Sequence, residues 1–209
     1  MATTAANFEP VYQQDAWLEQ DTSVMLNGIS WTQYLALLKS RGEAQQPKFF
    51  YLDGTLEIMS PSISHESIKT LLARLLEVYA LECEIDLYGF GSWTLKSKDK
   101  KRKGMGSGLE PDECYTVNRE PVDRPDFAVE VVWKSGGLSK LDIYQRLEVP
   151  EVWQWEKGSL QIFAWTKVGY KRVARSRFLP ALDPAEICQY LALPQPQAVR
   201  AFRDALRRR

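Results

Sequence analysis

Two Pro-Asp pairs, Pro111-Asp112 and Pro125-Asp126, each open a short apolar stretch, and the second stretch, Phe127–Trp133, carries a single acid, Glu130. A carboxylate inside a buried strand carries a heavy desolvation penalty unless a metal ion or a cationic partner offsets it. The strand breaks at Ser135-Gly136-Gly137, and a helix carrying Lys140 follows. Two acids on neighbouring strands with an amine close by point to a divalent-metal site that hydrolyses phosphodiesters.

Geometry narrows the choice of acids. Asp126 and Glu130 share a strand face, but at about 3.3 Å per residue their Cα atoms lie roughly 13 Å apart, too far to share one small cation. Asp112, on the adjacent strand, can sit directly across from Glu130, where Cβ atoms approach to about 5 Å. Mg²⁺ takes carboxylate and carbonyl oxygens at about 2.1 Å and keeps several waters. Asp112, Glu130 and the carbonyl of Val131 could supply such a partial shell, leaving Asp126 as a strand-start or loop acid that could pair with Arg124. A lysine is then needed to offset phosphoryl charge. Lys140, at the start of the next helix, and Lys134, on the Glu130 face of the strand, are the two candidates.

Glu66 is either a helix-dipole acid in the first turn of a long helix or a further ligand for the metal or its water. His65, the only histidine, reads as a helix cap or surface group. The aromatic residues Tyr88, Trp93, Trp133, Trp153, Trp155 and Trp165 read as core or interface, with base stacking open to one or two of them.

Around these residues the chain alternates helix and strand. Ser30-Trp31-Thr32-Gln33 has the form of a capping box, followed by helical spacing of Trp31, Tyr34, Leu35 and Leu38 up to Gly42. Lys48–Leu52 and Thr55–Met59 flank Asp53-Gly54, a strong hairpin signal. From Ser64 to Glu82 the residues Ile68, Leu71, Leu72, Leu75, Leu76 and Tyr79 make one apolar helix face. Strands are expected at Leu87–Leu95, Asp112–Val117 and Phe127–Trp133, and a helix at Leu138–Leu147. Val152–Glu156 and Leu160–Trp165 form a hairpin across Lys157-Gly158, and Tyr170–Ala174 adds an edge strand. This order predicts an α/β (α+β) mixed sheet flanked by helices, preceded by an N-terminal helix and β-hairpin. Residues 1–22 are expected to form a flexible arm, 23–193 the domain, and 194–209 a C-terminal basic helix from Gln197 to Leu206.

The 209 residues carry 44% hydrophobic and 26% charged residues, ordinary values for a globular chain. No apolar run is long enough to span a bilayer, and the N-terminus has neither the basic flank nor the apolar core of a secretory signal. Three cysteines, Cys83, Cys114 and Cys188, lack metal-ligand spacing and read as reduced thiols of a cytoplasmic protein. Net charge is zero, which argues against a generic nucleic-acid coat. Lys96–Lys103 nevertheless holds six basic residues, and Arg200–Arg209 five arginines. Such runs are solvated loops or tails, or phosphate contacts where they flank a cleft; the segment Lys96–Gly108 is expected to be mobile.

At these residues the sequence resembles the Uma-two family of restriction endonucleases, a branch of the PD-(D/E)xK nuclease superfamily. The resemblance runs from about Trp31 to Phe178. It is carried by Tyr51-Leu52-Asp53-Gly54 with Met59-Ser60-Pro61, by His65, and by Glu110-Pro111-Asp112. It continues through Arg124–Val131, Lys140-Leu141-Asp142-Ile143-Tyr144 and Val149-Pro150-Glu151-Val152-Trp153. It implies a restriction-endonuclease-like αβββαβ core, a divalent metal (Mg²⁺ or Mn²⁺) and hydrolysis of DNA phosphodiesters. An endonuclease of this kind is expected to act as a homodimer that cuts both strands. By position the metal acids fall on Asp112 and Glu130, and the helix glutamate on Glu66. The superfamily's lysine, two residues after the second acid, is Val132 here, and the family's migrated lysine matches Lys140. A copy in which Lys140 does not serve would be a catalytically inactive DNA-binding or regulatory protein retaining the fold.

Overall fold

The computed structural model describes residues 20–97, 106–120, 123–133 and 136–209. Its elements run β1 (Thr22–Asn27), α1 (Trp31–Arg41), β2 (Lys48–Leu52), β3 (Thr55–Ser60), α2 (Ile63–Glu82), β4 (Leu87–Gly89), β5 (Leu95–Lys96) and β6 (Ser107–Leu109). They continue with β7 (Glu113–Val117), β8 (Phe127–Val132), α3 (Lys140–Leu147), β9 (Glu151–Glu156), β10 (Ser159–Thr166), β11 (Gly169–Val173), α4 (Pro184–Leu191) and α5 (Gln195–Leu206). No helix among the described residues is long and apolar enough to cross a membrane.

A six-stranded mixed sheet, ordered β11-β10-β9-β8-β7-β4, carries the site. Its one parallel pair, β8 with β9, is linked by α3, and the other pairs are antiparallel. Taking α2, β4, β7, β8, α3 and β9 in order gives the expected αβββαβ core. The N-terminal hairpin does not join this sheet. It lies in a second, antiparallel sheet, ordered β1-β3-β2-β6-β5.

Strand β8 separates two parts of the core. Phe127, Val129 and Val131 pack with Leu71, Leu72, Leu75, Leu76 and Tyr79 of α2. Ala128 packs on the other face, with Ile143 and Tyr144 of α3 and Phe50 of β2. Side chains alternate along a strand, so Glu130 projects with Ala128 toward α3 and the second sheet. Helix α5 adds Ala198 and Phe202 to the α2 side.

Local signals explain the ends of several elements. Ser30 and Gln33 form the capping box at the start of α1. At the β2–β3 turn Asp53 (φ 45°) and Gly54 (φ 93°) are both left-handed, as a two-residue hairpin of this type requires. The segment expected to be mobile up to Gly108 instead ends in β6, whose residues are buried. A Cβ on Gly108 would lie 2.4 Å from the hydroxyl of Tyr34, which is fully buried and stacked on Tyr51. Gly108→Ala is therefore expected to lower stability by about 1–3 kcal/mol, read by urea denaturation.

Three further expectations change. The strand Leu87–Leu95 is two strands, β4 and β5, lying in different sheets. Helix α4 was not signalled; it is eight residues long, capped by Asp183 with Pro184 at its first turn. Strand β1 begins within the expected arm, at Thr22, and is exposed along its whole length, so it shows no alternating pattern.

Candidate active site

Extending the β7–β8 register by one residue sets Asp112 directly opposite Glu130. Both carboxylates are fully buried. The turn that delivers Asp112 is clamped by its neighbour Glu110, which takes two hydrogen bonds from Arg41 and one from Thr94 Oγ1 at 2.9 Å.

Each carboxylate is fully engaged by protein donors. Lys48, itself 1% exposed, reaches from β2 in the other sheet to Asp112 Oδ1 and to the carbonyl of Pro111 at 3.1 Å. Asp112 Oδ2 accepts the backbone N–H of Val131 at 2.7 Å. His65 Nε2 lies 3.0 Å from the same oxygen, an ion pair when the ring is protonated. On the other ring nitrogen, Nδ1 is 2.8 Å from Asp21 Oδ2. Glu130 takes a hydrogen bond from Lys140 Nζ at 2.6 Å on Oε2 and one from the Tyr144 hydroxyl on Oε1. The Lys140 ammonium also lies 4.6 Å from the centre of the Phe50 ring.

These contacts divide the two acids. Burial would raise the Asp112 carboxyl, but Lys48, Lys140 and His65 outweigh it and hold it well below the usual carboxylate range. Glu130 goes the other way: burial pushes it up and Asp112 adds to the push, with Lys140 opposing. Burial would lower Lys140, but Glu130 and Asp112 outweigh it and raise it. Burial likewise disfavours charge on His65, yet Asp112 and Asp21 raise it to about 9.

A folded-state value above the unfolded one stabilises the protein only while the group is protonated. In metal-free protein the His65 contribution is therefore complete below about pH 6.5 and is lost as pH rises through about 9. The shift corresponds to about 3 kcal/mol. Melting curves in chelator should show wild-type stability falling across that window relative to His65→Gln, and a constant difference between the two would contradict the assignment.

The site borders a cleft of about 400 Å³ whose walls include Phe50, Glu57, Met59, Val131, Lys140 and Glu156. Lys140 stands on its wall, while Asp112 and Glu130 are not on its lining. Asp21, Glu57 and Glu156 against Lys140 make the described lining more acidic than basic.

Of the residues marked by sequence, Asp112, Glu130, Val131 and Lys140 come together. Glu66 sits in the first turn of α2 and pairs with Lys69 at 2.8 Å. Lys134 lies outside the described residues. His65 is a correction: it is fully buried between two carboxylates, and Ser62 caps the helix instead. Asp126 is another: it pairs with Arg119 and accepts Val117 N–H at 2.9 Å, while Arg124 pairs with Glu148. The C-terminal arginines Arg207, Arg209 and Arg203 pair with Glu82, Glu186 and Asp204, and none of these residues lines the cleft. The basic run is described only to Ser97. Trp153 and Trp155 are buried core, whereas Tyr88 and Trp165 are partly exposed. Lys48 and Asp21 carried no sequence signal for the site beyond their residue types, and Tyr144 only its place in the Lys140–Tyr144 motif.

Carboxylate oxygens suit a hard divalent ion of the Mg²⁺ class, so the pair fits such an ion in kind. In number it supplies two acids: among the described residues no group of three or more His, Cys, Asp or Glu is placed to hold an ion.

Residues 31–195 match the Uma2 family, described as "Putative restriction endonuclease". Among solved structures, one from Anabaena variabilis ATCC 29413, described as a "putative nuclease belonging to DUF820", aligns with a TM-score of 0.49 and 14% identity. The alignment covers 84% of this chain and 99% of that one. A comparison with curated proteins found no match.

Proposed function

Because this chain belongs to the Uma2 family, we propose that it is a nuclease of a finer kind: a Mg²⁺-dependent endonuclease that hydrolyses DNA phosphodiesters, with Mn²⁺ able to replace Mg²⁺. The observation that carries the reading is the opposition of Asp112 and Glu130 across two strands, with Lys140 between them and the cleft.

In this reading Asp112, Glu130 and the main-chain carbonyl of Val131 hold the ion. When bound, the ion lowers the pKa of a water molecule and offsets phosphoryl charge. Lys48 keeps Asp112 ionised from behind. Lys140 keeps a positive charge at the cleft wall, where it would stabilise the developing negative charge of the phosphoryl group. Tyr144 orients Glu130 through Oε1. Glu66 is retained as an outer acid that orients water once its pair with Lys69 opens. The acidic cleft lining would repel phosphates, so DNA affinity should itself depend on the divalent ion. We further assign the protein to the cytoplasm, in keeping with the free thiols of Cys83, Cys114 and Cys188. A homodimer would let two such sites address the two strands.

Two observations favour a second reading, a catalytically inactive DNA-binding or regulatory protein. Every carboxylate oxygen of Asp112 and Glu130 already has a protein partner, and Val132 stands where the superfamily's lysine would be. Supercoiled plasmid decides between them. The first reading expects nicking with Mg²⁺ or Mn²⁺ that stops on chelation. DNA binding indifferent to chelator, with no nicking under either metal, selects the second.

A further inference from the structure

The lone histidine has no place in the chemistry above, yet it is one of the most constrained groups in the molecule. His65 is fully buried, with Nδ1 2.8 Å from Asp21 Oδ2 and Nε2 3.0 Å from Asp112 Oδ2. Asp21 is fixed in turn, because its Oδ1 accepts the backbone N–H of Ser62 at 2.8 Å. Ser62 caps α2 by accepting the His65 N–H at 3.1 Å. At the inner end, Asp112 Oδ2 accepts Val131 N–H, on the strand whose end borders the cleft. A continuous row of polar contacts therefore joins the segment before β1 to the floor of the site. Its outer member, Asp21, precedes residues 31–195, the part of the chain that matches the family.

We propose that Asp21 and His65 are a positioning pair for Asp112: Asp21 fixes the ring of His65, and the ring fixes the Oδ2 side of the Asp112 carboxylate against Val131 N–H. The functional meaning of this pair rests on Asp112 being a metal carboxylate. Outer partners that orient a ligating carboxylate are worth roughly 10–100-fold in metal affinity. The segment before β1, with Asp21 on the cleft wall, is then part of the site and not an appendage to it.

The test uses the full chain and two readouts. In metal-free protein, amide exchange at Val131 reports whether Asp112 still holds that N–H. Asp21→Asn and His65→Asn should speed it by up to about tenfold relative to Val129 and Trp153 in the same sheet, the scale of losing one hydrogen bond. His65→Gln, whose amide can reach the Nε2 position, should lose less than His65→Asn, which reaches only the Nδ1 position. A helix-cap or packing role would instead move all three amides together and would not rank the two variants. In the second readout, titration with Mn²⁺ alone should give an affinity about tenfold weaker in Asp21→Asn, with Thr22→Ala, an exposed neighbour off the cleft, unchanged. Val131 exchange in Asp21→Asn and His65→Asn that tracks Val129 and Trp153 overturns the positioning pair. Wild-type protein that binds no Mn²⁺ overturns the nuclease reading instead, and leaves the exchange result to decide the pair.

Discussion

Asp112→Ala is expected to abolish DNA cleavage and divalent-ion binding, and to destabilise the protein at the same time. Both effects follow from the same contacts. Asp112 is the acid held ionised at the site, and Lys48 and His65, both buried, depend on it for their charge balance. Removing one partner of a buried ion pair leaves the other uncompensated, at about 3–5 kcal/mol. Here Lys48 is left without its carboxylate and His65 keeps only Asp21, so a large fall in melting temperature should accompany the loss of activity. Asp112→Asn separates the two effects. It keeps the volume and an oxygen for Val131 N–H but removes the charge, so it should fold better than the alanine variant and cleave no better. Cleavage by Asp112→Asn at the wild-type rate would remove Asp112 from the chemistry.

The second large effect is expected at Lys140. Its ammonium is bonded to Glu130 and stands on the cleft wall. Lys140→Met keeps an unbranched side chain of similar length and removes the charge that lies over Phe50. Cleavage should fall by about 10²-fold or more, the scale of losing one pre-organised charge stabiliser. Glu130, already pushed upward by burial, loses its cation and should take up a proton more readily, so the remaining activity should shift to higher pH. Lys134→Met discriminates the two lysines: it should leave cleavage within a few-fold of wild type. The reverse pattern, with Lys134→Met inactive and Lys140→Met active, would transfer the role to Lys134.

Much of this site was legible in the sequence because it rests on local rules. A single acid in an apolar strand, a second acid after Pro111 and a helix restarting at Lys140 are all short-range patterns. Strand alternation then sets Glu130 on one face, and antiparallel pairing sets Asp112 against it. The groups that were missed arrive from far along the chain. Lys48 comes from the other sheet, where its β2 sequence reads as an ordinary hairpin strand whose lysine would face solvent. Asp21 precedes a strand with no alternation, and His65 lies at a helix start, where capping is the simpler account. Tyr144 falls on the apolar stripe of α3 and reads as core, which it also is. The division into two sheets was hidden for a related reason: Leu87–Leu95 reads as one strand, and only tertiary pairing shows β4 bound to β7 and β5 to β6.

The most direct test of the account is a crystal structure with Mn²⁺, read by anomalous scattering. The expected result is one peak with the carboxylate oxygens of Asp112 and Glu130 at about 2.1 Å, and with Lys140 displaced from Glu130 toward the cleft. An ion found elsewhere, or no ion at saturating Mn²⁺ with Lys140 and Tyr144 still closed on Glu130, would contradict it.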